Sequence, residues 1–298
     1  MPAAKEPFGL SCALVTPFGA NDAIDHARLV AHARSVLDRG CDSVTAFGTT
    51  GEGASIGVAG RHQVLGALAG AGLDMRRQVV VGVAASSVHE TLEQARAGLA
   101  FGCRALMIAP PFYFKGVDDE GIFRWFAKVF ESLGGAARDV ILYHIPSVTA
   151  VGLSPALIGR LREAFPGVVI GVKDSSGDGA NTRRLLAEHG DLAILVGDER
   201  QLAAAVREGA QGAICGVANF APELMRPLAR EGKDDPRVHR LVDALLSVPV
   251  TPAVKAMVAH RTGDPAWLAC RPPLLPIGPA DARRLGGVLD EALGRKAA

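Results

Sequence analysis

A lysine at the end of an apolar run is the residue of this sequence best suited to covalent chemistry. Lys173 ends residues 168–173, a run whose other members are hydrophobic residues or glycine. An amine in such surroundings is poorly solvated, which favours its neutral and nucleophilic form. A neutral lysine amine can attack a ketone and form a Schiff base. The alternative interpretation is a structural lysine that pairs with the adjacent Asp174.

The sequence contains two tyrosines, Tyr113 and Tyr143, and both lie at or just beyond the end of a predicted strand. The strand that ends at Tyr143 directly precedes the strand of Lys173. Because neighbouring strands lie about 5 Å apart, we expect this phenol to reach the amine. A phenol beside a Schiff base can transfer protons while the base forms and while a C–C bond breaks. The alternative is a buried tyrosine whose hydroxyl binds a backbone carbonyl.

Two adjacent hydroxyl side chains lie in the turn Gly48-Thr49-Thr50-Gly51-Glu52. Hydroxyl and backbone donors held between glycines suit a small carboxylate or a developing oxyanion. The alternative is an ordinary turn in which a threonine caps a helix.

Short apolar runs alternate along the chain with segments of helical periodicity, and these elements would position the three motifs. Repeated β-α units predict a parallel sheet, and eight of them predict a closed (β/α)8 TIM barrel. Reactive groups of such barrels lie at the carboxyl ends of the strands, where all three motifs fall. The predicted strands are residues 10–15, 43–47, 79–83, 105–108, 140–143, 168–173, 193–197 and 212–215. The predicted helices between them are residues 25–38, 61–71, 88–99, 121–133, 155–164, 180–189 and 201–208.

The alternation ends after residue 215, and only helical patterns follow. We therefore predict a barrel that carries the active site over residues 1–222 and a helical extension packed on it over residues 223–298. No Gly/Ser-rich linker separates the two, so an independent second domain is not indicated.

Composition excludes several classes of protein. The chain has 298 residues, 49% of them hydrophobic, which is incompatible with disorder as its main state. A net charge of +1 argues against a nucleic-acid partner. Five widely spaced cysteines without a CxxC pair predict a reducing, cytoplasmic location, and the beginning of the sequence does not resemble a secretory signal. The longest stretch without Asp, Glu, Lys or Arg, residues 140–159, contains two prolines, so no membrane span is predicted.

Together the motifs resemble those of the dihydrodipicolinate synthase/N-acetylneuraminate lyase superfamily. The resemblance rests on residues 48–52, Tyr143-x-x-Pro146 and Gly171-Val172-Lys173-Asp174-Ser175-Ser176-Gly177, and it is colinear over residues 9–222. It implies a class I aldolase-type lyase that works through a pyruvate Schiff base without a metal or an organic cofactor.

The resemblance also implies a role for individual residues. Lys173 would be the Schiff-base amine and Tyr143 the general acid/base. Thr49 would link Tyr143 to a second tyrosine from a neighbouring subunit, whose place Tyr113 matches, so a homo-oligomer (a dimer or a tetramer) is expected. Thr50 and the amides around it, including that of Gly48, would hold the pyruvate carboxylate. Ile214 would make a backbone contact near the lysine.

The sequence departs from typical dihydrodipicolinate synthases at Val148, where an arginine would bind the carboxylate of the aldehyde substrate. His144, Ser175 and Glu199 would instead form hydrogen bonds with substrate hydroxyls, as the resemblance to the sugar-acid lyase branch of the superfamily implies. The alternatives are a structural role for His144 and a helix N-cap formed by Asp198 with Glu199 in the first turn.

We therefore predict a Schiff-base lyase or dehydratase acting on a 2-keto-3-deoxy sugar acid or a related 2-oxo acid, with pyruvate as product or donor. The first alternative is 4-hydroxy-tetrahydrodipicolinate synthase. A metal-dependent barrel enzyme is disfavoured because the eight histidines do not cluster in sequence. The remaining alternative is a homologue that binds a keto acid without catalysis.

Overall fold

Eight parallel strands close into a barrel in the computed structural model, which describes residues 7–295. Each strand pairs with the next along the chain, and β1 pairs with β8 to complete the ring. The predicted TIM barrel is confirmed. The strands are β1 (Gly9–Ala13), β2 (Ser43–Ala46), β3 (Val79–Val83), β4 (Ala105–Ile108), β5 (Val140–His144), β6 (Val169–Asp174), β7 (Ala193–Val196) and β8 (Gly212–Cys215).

Helices follow the strands and cover the outside of the barrel. The helices up to the last barrel unit are α1 (His26–Asp38), α2 (Val58–Gly70), α3 (Met75–Gln78), α4 (Val88–Ala100), α5 (Asp119–Leu133), α6 (Pro146–Thr149), α7 (Pro155–Ala164), α8 (Gly179–His189), α9 (Glu199–Arg207) and α10 (Pro222–Glu231). Three more α-helices follow within the described residues: α11 (Pro236–Leu246), α12 (Val250–Thr262) and α13 (Pro279–Ala292).

Four helices, α2, α5, α8 and α9, begin one to three residues earlier than their periodicity predicts. The helix α9 begins at Glu199 because the Asp198 side chain accepts a hydrogen bond from the backbone N–H of Arg200 and caps it. The helix α2 begins at Val58, three residues before the predicted start, after an extended Gly57. Apolar periodicity misses such first turns because it reports the buried face of a helix and not its cap.

Side chains of the strands alternate between the barrel interior and the layer under the helices. Tyr143, Lys173 and Ile214 point inward, with Tyr143 and Ile214 in the apolar cluster that fills the barrel. The next residues along two of these strands, His144 and Asp174, therefore point outward. This alternation decides which residues can share one cavity.

The helix that follows β8 packs against β1 and α9, so it completes the eighth β-α unit. The packing thus places α10 with the barrel, whereas the predicted boundary at residue 222 assigns it to the extension. The helices α11, α12 and α13 pack on one another, and α11 also packs on α9. Over the described part of the chain, no helix combines the length and the apolar character that a membrane crossing requires.

Candidate active site

The amine of Lys173 lies at the centre of the barrel. Lys173 is on β6 directly beside Tyr143 on β5, because the two residues are partners in the parallel ladder. Its side chain is 5% exposed, and Nζ donates a hydrogen bond of 3.3 Å to the Tyr143 hydroxyl. Nζ also lies 4.3 Å from the centroid of the Tyr143 ring. The strand register therefore sets the distance between amine and phenol.

The adjacent carboxylate does not pair with this lysine. Asp174 points outward and accepts hydrogen bonds from Asn181 Nδ2 at 3.0 Å and from Thr182 Oγ1 at 2.8 Å. It also accepts the backbone N–H of Ser176 at 3.0 Å. The structural alternative of a Lys173–Asp174 pair is therefore wrong, and the amine faces the cavity.

A threonine extends the hydrogen-bonded chain away from the lysine. Thr49 Oγ1 lies 3.3 Å from the Tyr143 hydroxyl, so amine, phenol and threonine form a continuous row. Either oxygen of the Thr49–Tyr143 pair can be the donor. The row can move a proton between the cavity floor and the turn that carries Thr49.

The turn after β2 is held by its own backbone. The amides of Gly51 and Gly53 both donate to the carbonyl of Gly48 at 3.1 Å, and Thr16 Oγ1 donates to the Gly51 carbonyl at 2.7 Å. A Cβ on Gly53 would lie 1.9 Å from the carbonyl oxygen of Phe47, so only glycine fits there. Close packing therefore fixes the orientation of Thr49 and Thr50.

The C-terminal helices hold the same turn from the other side. Glu52 has a left-handed backbone, with φ of 55°, and its fully buried carboxylate pairs with the equally buried Lys255 of α12. Its second oxygen accepts the backbone N–H of Arg271 at 2.8 Å. Thr251 Oγ1 donates to the Thr49 carbonyl at 3.4 Å. The extension thus determines the position of the turn.

The sequence motifs do not indicate the contacts that Lys255 and Arg271 make with Glu52 of this turn. One feature of the sequence could have indicated this ion pair. Lys255 lies in a helix whose other residues are nearly all apolar, which predicts a buried lysine side chain and hence a buried partner of opposite charge. The identity of that partner was not accessible, since Glu52 is separated from Lys255 by about two hundred residues of sequence.

A cavity of about 340 Å³ opens above Lys173. It brings together Thr50, Ile214, Ser175 and Glu199 with the amine and the phenol, as the sequence predicted. Gly48 lies instead on a neighbouring, more apolar cavity of about 470 Å³, which shares Thr49 and Tyr143 with the first.

Two carboxyl groups border the first cavity with different partners. Glu199 Oε1 accepts the backbone N–H groups of Gly216 and Val217, both at 3.0 Å. Burial raises the pKa of this carboxyl above its ordinary value, although the amide donors act to lower it. Asp198 has the capping role described above, and its carboxylate also pairs with Arg200.

His144 was predicted to contact substrate, and the structure places it elsewhere. Its Nδ1 accepts the backbone N–H of Leu153 at 2.9 Å, and its ring is outside the cavity of Lys173. Burial lowers the pKa of this imidazole below its ordinary value, against the effect of the nearby Asp174 charge. The predicted contact of His144 with substrate is therefore wrong. Adjacent residues of a strand face opposite sides of the sheet, so His144 faces away from the cavity that Tyr143 lines.

Tyr113 lies outside the cavity of its own chain. The side chain is 74% exposed and packs edge-to-face with Phe114 at 5.3 Å. Its contribution to the site of another subunit stays a prediction. Within residues 7–295, no group of three or more His, Cys, Asp or Glu side chains is arranged to hold a metal ion.

The sequence model of the dihydrodipicolinate synthetase family matches residues 6–292. The chain belongs to this family. The resemblance found in the three motifs is thereby confirmed, and the predicted class, a lyase of the lysine Schiff-base type, is confirmed at the level of the family.

Members of the dihydrodipicolinate synthetase family with similar sequences come from several bacteria. An uncharacterized DapA-like lyase of Chloroflexus aurantiacus is 33% identical over 91% of this chain and 92% of its own length. The 4-hydroxy-tetrahydrodipicolinate synthase 1 of Streptomyces coelicolor is 33% identical over 93% of this chain and 88% of its own length.

This chain is also similar to a protein of known crystal structure. The sequence of dihydrodipicolinate synthase from Agrobacterium tumefaciens is 52% identical to that of this chain. The two structures superpose with a TM-score of 0.93 over 96% of this chain and 99% of that one.

Proposed function

We propose that this protein cleaves or forms a C–C bond of a 2-keto-3-deoxy sugar acid or a related 2-oxo acid, with pyruvate as product or donor. Dehydration of such an acid through the same Schiff base is the closest variant. The observation that carries the proposal is the row of Lys173 Nζ, the Tyr143 hydroxyl and Thr49 Oγ1, with 3.3 Å between successive atoms and with Lys173 and Tyr143 buried.

The geometry supports a sequence of proton and bond movements. The neutral Lys173 amine attacks the keto carbon, Tyr143 transfers protons, and water leaves as the iminium forms. In the cleavage direction, a base removes the proton of the C4 hydroxyl, the C3–C4 bond breaks, and the electron pair moves into the iminium to give an enamine. Protonation at C3 and hydrolysis then release pyruvate and the free amine.

The polar groups around the lysine have matching roles in this proposal. Thr50 and the amides of its turn hold the pyruvate carboxylate, and Ile214 lies against the bound keto acid. Ser175 and Glu199 face hydroxyls of the departing or arriving aldehyde. All four residues line the cavity above Lys173.

Borohydride trapping tests the Schiff base directly. After incubation with pyruvate and borohydride, we expect one reduced adduct by intact-mass spectrometry, absent from Lys173→Ala. Lys233→Ala, which removes an exposed lysine, is the matched control and retains the adduct. No adduct with pyruvate or with longer 2-oxo acids would overturn the proposal. An adduct without turnover of any acceptor would instead support the keto-acid-binding homologue.

A second candidate is 4-hydroxy-tetrahydrodipicolinate synthase, the name carried by the Streptomyces relative. Val148 disfavours it, since a valine cannot bind the carboxylate of an aldehyde substrate. The cations lining the described cavity are Lys173 and Arg200, and Arg200 is held by Asp198 and Asp243. Condensation of pyruvate with aspartate semialdehyde at a rate above that with uncharged aldehydes would favour this candidate.

We also propose a homo-oligomer, a dimer or a tetramer, in which Tyr113 completes the proton path of a neighbouring subunit. Its support is the 74% exposure of a tyrosine on the loop after β4. Mixing inactive Lys173→Ala with Tyr113→Phe tests this role. If one subunit serves the site of another, each mixed dimer has one complete site of two, so an equimolar mixture after random subunit exchange regains about a quarter of wild-type activity. No regain in verified mixed oligomers would refute the role of Tyr113 in a neighbouring site.

The reducing cytoplasm is the proposed location. Its support is that all five cysteines have free thiols, four of them buried in the core.

A further inference from the structure

We propose that the outer part of the Lys173 cavity is a binding subsite for an uncharged hydrocarbon terminus of the substrate. The substrate would be a 2-oxo acid with hydroxyls near the reacting carbons and a methyl, alkyl or aryl group at its far end. This inference rests on the proposed function and names the substrate class within it.

The inner part of the cavity is polar. Lys173, Tyr143 and Glu199 are all buried there, with 7% exposure or less. Ser175 and Ser176, which are half-buried, lie between this floor and solvent. Hydrogen-bonding groups are therefore available to the carboxylate, the keto group and the first hydroxyls of a substrate.

The rim of the same cavity is apolar and faces solvent. Val148 is 59% exposed, Leu246 is 53% exposed and Val250 is 42% exposed, and all three line the cavity. Val242 and Leu245, which are buried, extend this surface inward. We call these five residues the apolar rim.

The apolar rim accounts for three of the seven large hydrophobic side chains that are exposed within residues 7–295. Its members come from two distant segments, since Val148 is on the short helix after β5 and the other four are on α11 and α12. Solvent-exposed apolar side chains that converge from separate elements on one cavity form a hydrophobic contact surface, which a bound ligand can cover.

Among the described residues that line this cavity, no free cation is available to a charged terminus of the substrate. Arg200 donates to Asp198 and to Asp243 at 2.8 Å each, so its charge is already compensated. Lys115 donates to the carbonyls of Phe112 and Thr149 and does not line this cavity. A carboxylate or phosphate at the far end of the substrate would lose hydration against Val148 without gaining an ion pair.

The preference is measurable with a set of aldehyde acceptors added to pyruvate. We compare lactaldehyde, glyceraldehyde, 2-hydroxyhexanal and glyceraldehyde 3-phosphate, which share a 2-hydroxyl and differ at the terminus. The expected order of kcat/KM is 2-hydroxyhexanal above lactaldehyde, then glyceraldehyde, with the phosphate lowest. Each methylene buried against the apolar rim should raise kcat/KM about fourfold. A higher kcat/KM for glyceraldehyde or for its phosphate would overturn the inference.

Two leucine variants distinguish an effect of the apolar rim on acceptor preference from a general effect of replacing an exposed leucine. Leu246→Asn should reduce the preference for 2-hydroxyhexanal over glyceraldehyde about fivefold or more and leave the pyruvate adduct at Lys173 intact. Leu275→Asn changes a leucine that is 76% exposed and lies outside the cavity, and it should leave the preference unchanged.

The outcomes distinguish this inference from the proposed function. A pyruvate adduct with no preference for apolar termini refutes the subsite and leaves the Schiff-base function in place. Loss of oligomers in Leu246→Asn by light scattering, with an unchanged acceptor preference, would show that the rim contacts a second copy of the chain instead. Absence of any adduct would refute both.

Discussion

Lys255 and Glu52 form an ion pair whose two side chains are both 0% exposed. The lysine belongs to α12 of the C-terminal extension, and the glutamate ends the turn that carries Thr49 and Thr50. Arg271 adds a backbone hydrogen bond of 2.8 Å to the same carboxylate. The extension is therefore connected by buried polar contacts to the turn that carries Thr49 and Thr50.

Removal of this lysine charge should destabilise the protein and disturb the turn. Lys255→Met leaves a carboxylate buried without its partner, so we expect a loss of about 3–5 kcal/mol in the free energy of unfolding. Urea denaturation measures it. Lys255→Met combined with Glu52→Gln removes both charges and should recover most of the loss. The matched control is Lys233→Met, at an exposed pair with Glu231. A loss no larger than in this control would contradict the prediction.

The phenol of Tyr143 should be required for proton transfer and not for binding. Tyr143→Phe retains the ring beside Lys173 and removes the hydroxyl, so kcat should fall about 100- to 10,000-fold. Steady-state kinetics with pyruvate and an aldehyde acceptor gives the value. A fall below tenfold would show that another group transfers the proton.

The hydroxyl of Thr49 should contribute less than the phenol. Thr49→Val removes one hydrogen bond of 3.3 Å to Tyr143, and we expect about a tenfold loss in kcat. Thr49→Ser, which keeps the hydroxyl, is the conservative control. Equal losses in the two variants would indicate a steric effect of the substitution in place of a lost hydrogen bond.

Stability at acidic pH should depend on His32. Burial lowers the pKa of this imidazole from 6.5 to about 4, while Nε2 lies 3.1 Å from Asn219 Oδ1. The unfolded chain takes up the proton first, so the stabilisation is complete above pH 6.5 and is lost as the pH falls toward 4. Between pH 7 and pH 4.5, the free energy of unfolding of the wild type should fall by about 2–3 kcal/mol more than that of His32→Gln. The glutamine retains a hydrogen-bond donor and does not titrate. Parallel pH dependence of the two unfolding free energies would contradict this assignment.

The turn should not tolerate a side chain at Gly53. A Cβ there meets the Phe47 carbonyl at 1.9 Å, so Gly53→Ala has to displace the backbone next to Thr49. We expect a loss of about 1–3 kcal/mol in stability together with a fall in kcat. Gly135→Ala, which has no heavy atom within 4 Å of the new Cβ, should change neither quantity. Similar activities of the two variants would show that the turn is not sterically fixed.

The order of strands and the residues at their ends could be predicted because both depend on local patterns. A lysine and a tyrosine that end consecutive parallel strands become neighbours once the barrel closes, and their pairing in the ladder follows from that rule. The misplaced His144 was also predictable. It directly follows Tyr143, and the period of two along a strand directs its side chain away from the cavity.

Contacts between distant segments could not be predicted in the same way. The pairing of Glu52 with Lys255 depends on how the extension folds back over the barrel, and no local pattern specifies that path. The apolar rim was missed for the same reason, since hydrophobic residues of α11 and α12 appear in the sequence as ordinary core positions. Only the packing shows that Leu246 and Val250 reach the cavity.

The location of the apolar rim has an evolutionary consequence. Four of its five side chains belong to helices after the last strand, whereas Lys173 and Tyr143 are fixed by the strand ladder. Mutations in α11 and α12 can therefore change the apolar rim without altering the amine and the phenol at the strand ends. Under the proposed function, a gene library randomised at Val242, Leu246 and Val250 would diversify acceptor choice while each folded clone keeps the Schiff base of Lys173 with pyruvate.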